Sequence, residues 1–189
     1  MNLGGGSPDI SKAVEADCAT VLENQTATHI TGLDRLEGET VVVTVAGILS
    51  SGGVNGRYVV VSGAIDVSDV PPAGATVVVG LEYETTIEPN RIDADNRQGI
   101  TQGLVKAVGR VNLRVHNSRG GTVAAGARAK AVPIKYDGLT AVGGVYTGDV
   151  ELESLGDHGL DVPIVIRQSD PYPLNILAVI PRYDITGTP

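Results

Sequence analysis

At 189 residues the chain is long enough for one ordinary domain or two small ones, with a core that buries most of the surface its unfolded form exposes. Its 22 acidic and 14 basic residues leave a formal net charge of −8, so phosphate backbones repel it on average, which argues against general nucleic-acid binding. One cysteine, Cys18, rules out an internal disulfide.

Hydrophobic residues make up 42% of the chain, yet Phe and Trp are absent and the only aromatics are six Tyr. The core must therefore be built from Val, Ile, Leu and Ala. β-Branched side chains lose little in extended backbone and pack well on pleated surfaces, so this composition predicts an all-β fold. No apolar run reaches membrane-spanning length, and the first twenty residues hold neither a basic nor an apolar targeting region. A soluble protein assembled in a reducing cytoplasm is expected.

Residues 1–25 read as an N-terminal arm, glycine-rich over 1–10, with a short helix over Ser11–Leu22 where Ala13, Ala16, Ala19 and Leu22 recur at helical spacing. A β-domain is expected over 26–189, with a smaller β-rich sub-module over about 33–75. Strands are predicted at Thr26–Thr31, Glu39–Ala46, Arg57–Val61, Ala64–Val67 and, as one long strand, Thr76–Glu88. Asn55-Gly56 suits a tight hairpin turn, because both residues tolerate positive φ. Val70-Pro71-Pro72-Ala73-Gly74 separates two elements, since proline cannot donate to a central ladder.

Pro89–Thr101 is a charged surface excursion that includes Arg91 and Arg97. Gly103–Asn117 alternates Val105, Ala107, Gly109, Val111, Leu113 and Val115 with Lys106, Val108, Arg110, Asn112, Arg114 and His116, which predicts a half-buried strand with one basic face. A turn through Gly120-Gly121, a strand over Arg128–Tyr136 and a glycine-rich loop at Asp137–Gly144 follow. Val145–Leu152, Leu160–Gln168 and Tyr172–Ile185 then close the sheet, with Asp170-Pro171 and Tyr172-Pro173 forcing an extended corner. The architecture expected is an antiparallel sandwich or barrel-like module with a smaller β-rich insert and a flexible N-terminal arm.

Five stretches in order carry a family resemblance: Thr31–Val41, Val79–Tyr83, Val111–Gly120, Thr147–Glu151, and Ile166–Leu174 continued by Leu177–Pro181. In these stretches the chain resembles the C-terminal region of bacteriophage tail nozzle proteins, also called tail tubular protein B, and related phage tail proteins. The resemblance covers about residues 26–185 and implies a structural virion component, a hexameric ring of copies of itself, and contact with tube, adaptor or fibre proteins in the phage tail. Family nozzles are longer, with further modules ahead of this region. The expected role is non-enzymatic, in a nozzle, tip or fibre-adaptor position, and needs no cofactor. The alternative is a receptor- or carbohydrate-binding tail module, for which a chain without Trp lacks the usual aromatic platform.

Chemistry-bearing residues are sparse. Asp93, Asp95, Asn96 and Gly99 faintly resemble a calcium loop, but no glutamate stands at the bidentate position and two arginines intrude. His29, His116 and His158 show no zinc spacing with Cys18, and the adjacent Asp157-His158 pair has no placed nucleophile. The row Lys106, Arg110, Arg114 is more telling. Alternate residues share one face of a strand, and like charges in line repel unless carboxylates oppose them. Glu82, Glu84 and Glu88 are the expected partners, within the chain or from a neighbouring subunit; with Arg91 and Arg97 the row forms the candidate set of intersubunit contacts.

Overall fold

The computed structural model describes residues 14–69, 71–90, 95–96, 99–100, 104–126, 129–137, 144–153, 158–160 and 162–186. The protein is all-β, and among the described residues the only helical element is a 3-10 turn at Asp34–Leu36. Its sheets are antiparallel throughout. The first thirteen residues, most of the expected arm, lie outside the described ones.

The chain forms two compact units. The first takes Met1–Tyr83, Thr140–Val145 and Asp170–Pro173; the second takes Glu84–Leu139, Tyr146–Ser169 and Leu174–Pro189.

The first unit contains β1 (Asp17–Gln25), β2 (His29–Thr31), β3 (Thr40–Val45), β4 (Ile48–Leu49), β5 (Arg57–Val59), β6 (Ala64–Asp66) and β7 (Ala75–Leu81). One sheet runs β1-β7-β3-β4, with β5 also on β3, and β2 pairs with β6 in a separate ribbon. Val41, Val43 and Val45 alternate toward a core that also receives Val77 and Val79 from β7. Ile30, Ile65, Leu33 and Leu36 join the same cluster. Burial of a Val or Leu side chain contributes about 1.5–3 kcal/mol, so this cluster, aliphatic apart from Tyr58, replaces the Phe and Trp the sequence lacks.

Tight turns set the registers. Ala46-Gly47, Asn55-Gly56 and Ser62-Gly63 each place two consecutive residues at positive φ, the geometry of a two-residue hairpin whose twist matches its strands. At Gly56, φ is +77° and a Cβ would lie 2.7 Å from the Leu49 side chain, so both conformation and space demand glycine there.

Two expectations for this unit are overturned. Asp17–Gln25 is a strand, not part of a helix, with Thr20 and Leu22 turned inward at period two. Tertiary pairing with β7 outweighs the helical spacing of small residues, and bulges around Cys18 (φ +50°) and Asn24 (φ +56°) absorb its irregularities. Thr76–Glu88 is not one strand. Pairing with β1 and β3 ends at Leu81, and Thr85–Ile87 resumes in the second unit against a different strand, Ile164–Gln168.

The second unit is a sandwich. It contains β8 (Thr85–Ile87), β9 (Asp95–Asn96), β10 (Gly99–Ile100), β11 (Val105–Ser118), β12 (Thr122–Ala125), β13 (Val132–Pro133), β14 (Tyr146–Glu153), β15 (His158–Gly159), β16 (Ile164–Gln168) and β17 (Ile176–Thr186). In one sheet β11 is central, with β14 and β15 pairing along its length and β17 paired to it as well. The other sheet runs β13-β12-β16-β8. Val108, Val111, Leu113, Val115, Val150 and Leu152 of the first sheet meet Val123, Ala125, Ile164 and Ile166 of the second in one core. The strand expected over Arg128–Tyr136 shortens to β13, and the excursion after Pro89 contains the two-residue β9–β10 pairing.

Leu113 is fully buried at the centre of this core. Leu113→Ala is expected to lower unfolding free energy by about 2–5 kcal/mol in a denaturant titration. In the first unit, Asp69 accepts hydrogen bonds from Ser50 Oγ (2.7 Å), Ser51 N (2.7 Å) and Ser51 Oγ (2.5 Å), which hold its carboxyl below the usual range. A carboxyl lowered by folding stabilises the native state above its unfolded pKa of ~3.9 and loses that contribution as pH falls through the lower folded value. The stability difference between the wild type and Asp69→Asn, followed by urea unfolding from neutral pH downward, is therefore expected to shrink only in that acid window.

Candidate functional site

The described surface feature richest in organised charge is the outward face of the β14–β11–β17 sheet. On β11, Arg110 stands in register with Glu153 of β14 and Arg182 of β17; Asn112 with Glu151 and Ile180; Arg114 with Asp149 and Ala178. Arg110 Nη1 lies 2.8 Å from Glu151 Oε1, and its Nη2 lies 2.5 Å from Glu153 Oε1. Arg114 grips Asp149 with both ends of its fork, Nε to Oδ1 at 2.7 Å and Nη2 to Oδ2 at 2.8 Å. Each partner shifts the other: the guanidinium holds the Asp149 carboxyl low, and the carboxylate raises Arg114.

Lys106 does not belong to this row. A register shift between Val108 and Arg110 leaves Gly109 unpaired by β17 and reverses the alternation, so Lys106 and Val108 share the buried side while Arg110 and Arg114 point outward. Lys106 is 7% exposed. A period-two reading carried straight through the glycine puts it on the wrong face.

The carboxylates expected at Glu82 and Glu84 are engaged elsewhere. Glu82 pairs through both carboxylate oxygens with Arg57, with Arg57 Nε at 2.6 Å from Oε2, which raises the arginine further. That bond ties β5 to the end of β7. Glu84 Oε1 lies 3.8 Å from Arg167 Nε on the neighbouring β16. Arg91 and Arg97 lie outside the described residues, as do Asp93 and Asp157. Among the described residues no group of His, Cys, Asp and Glu is arranged to hold a metal, and no helix is long and apolar enough to cross a membrane.

Sequence reasoning missed the acidic row Asp149, Glu151 and Glu153, although its signal was present: Asp-x-Glu-x-Glu, run antiparallel, mirrors Arg110-x-Asn112-x-Arg114. It also missed the far edge. Among the described residues no strand pairs with the second side of β17. Leu177 (65%) and Ile180 (51%) are exposed there, and Arg182, beside Arg110, makes no ion pair with any described residue. Pro181 fits such a strand, since a proline in a sheet needs its missing N–H to face an open edge.

The chain matches no protein-family model and no curated protein.

Exposed ion pairs contribute little individually and weaken with salt. Arg110→Ala, which strands two neighbouring carboxylates, is expected to destabilise the fold by up to about 1 kcal/mol at low ionic strength. Thermal melts at low and high salt check this: the loss should be smaller at high salt and should exceed that of Arg114→Ala.

Proposed function

We propose that the chain is a non-enzymatic structural component of a bacteriophage tail, assembling with copies of itself into a ring that holds neighbouring tail proteins at a nozzle, tip or fibre-adaptor position. The supporting observation is where the resembling stretches lie. Val111–Gly120 supplies most of β11, Thr147–Glu151 lies in β14 and Leu177–Pro181 lies in β17, so segments separated by some thirty residues of chain become adjacent strands of one sheet. Ile166–Leu174 contributes the end of β16 in the facing sheet. Three of the stretches thus meet in one sheet of the second unit, the outer face of which is an ordered lattice of charge, while Thr31–Val41 and Val79–Tyr83 belong to the first unit. A scaffold role uses such a rigid face directly and requires no reactive group.

The tyrosines weigh against a sugar-binding role. Tyr58 is buried, Tyr136 and Tyr146 pack against each other with ring centroids 5.5 Å apart, Tyr172 accepts the Leu49 N–H and Tyr183 packs against the core. Tyr83, the most exposed, donates to Glu15. Carbohydrate platforms need open ring faces.

Light scattering and sedimentation velocity across a wide concentration range test the reading. A discrete closed oligomer is expected, six copies being the number the resemblance implies, and a map of intact particles should place it in the tail at that copy number. A chain that stays monomeric at every concentration and is absent from particles overturns it.

A further inference from the structure

The two rims of the second unit differ in a complementary way. On one rim, the edges of β13 and β14 border an open cleft of about 550 Å³, lined by Val132, Pro133 and Lys135 on one wall and Glu151, Leu152 and Glu153 on the other. That volume falls in the range that holds a drug-sized molecule, enough for several side chains. On the other rim, β17 presents Leu177, Ile180 and Arg182.

The charges on the sheet's outward face do not balance strand by strand. β14 offers three carboxylates, Asp149, Glu151 and Glu153, while the β11 row offers two guanidiniums. Arg110 is shared between Glu151 and Glu153 at the mouth of the cleft, where Lys135 lines the facing wall. Arg182, which makes no ion pair with any described residue, lies at the opposite edge, held next to Arg110 where like charges repel. One copy thus presents Glu151 and Glu153 opposite Lys135 on one rim, and Arg182 followed by Asp184 on the other.

We infer that the β13/β14 cleft of one copy receives the β17 edge of a second copy, with Arg182 of the incoming edge facing Glu151 and Glu153, and Leu177 and Ile180 covered against the cleft's apolar wall. This rests on the ring reading and specifies its contact. The occupant is another copy because each chain carries both halves in equal number, and because different patches that meet head to tail generate a ring when the rotation closes. Pro181 determines the kind of contact. The β17 edge lacks its central donor, so an incoming strand finds an interrupted ladder and the joint is made by side chains. Charge complementarity there selects the partner and its register.

Charge reversal tests the contact. Arg182→Glu and Glu153→Lys are each expected to weaken association at least ~10-fold by light scattering, since each places like charges across the joint. Both side chains are exposed, and matched circular dichroism melts establish that each variant is folded. An equimolar mixture of the two variants should recover assembly, because every joint in an alternating ring then joins opposite charges. Arg182→Gln and Glu153→Gln should weaken assembly in the same direction by less. If the wild type forms its ring and the reversed variants assemble equally well, or the mixture fails to recover, the contact lies elsewhere and this inference falls while the ring stands. If the wild type is monomeric throughout, the ring reading falls and takes this contact with it.

Discussion

The second unit depends on β11 being paired along both of its edges. Fourteen residues long, it carries β14 and β15 on one side and β17 on the other, and its inward residues form the middle of the core. Its backbone leaves few donors for water, so the strand cannot shift without breaking two ladders at once. The Gly109 bulge makes that arrangement workable. It turns Val108 and then Val111 to the same interior even though they stand an odd number of positions apart, and it delivers Arg110 and Arg114 to the surface in line. Core and charged face are both products of that one irregularity.

A core without large aromatics imposes its own discipline. Valine and isoleucine are stiff and short, so they fill space only when the layers lie close and the rotamers agree. Two separate aliphatic clusters of moderate size satisfy this better than one wide interior, and the chain builds two. Tyr58 joins the first cluster, while Tyr136 donates from the edge of the second to the Gly120 carbonyl at 2.7 Å, and burial pushes its hydroxyl pKa up.

Much of this was legible in the sequence, and what was not has physical causes. The alternation in Thr40–Val45, in Ala75–Leu81 and on either side of Gly109 identifies strands because one face of each is wholly apolar. Asn55-Gly56 announces its turn through backbone sterics alone. The break after Leu81 is invisible, since Glu82, Tyr83 and Glu84 continue a plausible pattern while the strand changes partners. Helical spacing of alanines at 16 and 19 misleads because alanine fits any element, and the pairing with β7 decides. The charged face was half legible. Arg110 and Arg114 declare a need for carboxylates, but choosing Asp149, Glu151 and Glu153 over Glu82 and Glu84 requires knowing which strand lies alongside.

The corner Asp170–Pro173 has a consequence for the way the molecule divides. It belongs to the first unit, where Tyr172 Oη accepts the Leu49 N–H at 2.9 Å and the Pro171 carbonyl accepts the Glu15 N–H at 3.2 Å, yet the residues on both sides of it belong to the second. Cutting the chain after residue 83 therefore does not release a finished module: the excised piece lacks a segment that its own Leu49 and Glu15 bond to. The two units are separate by packing, yet the chain crosses between them more than once. An insertion, a permuted terminus or an exchange with a relative respects this fold only if it carries those four residues along.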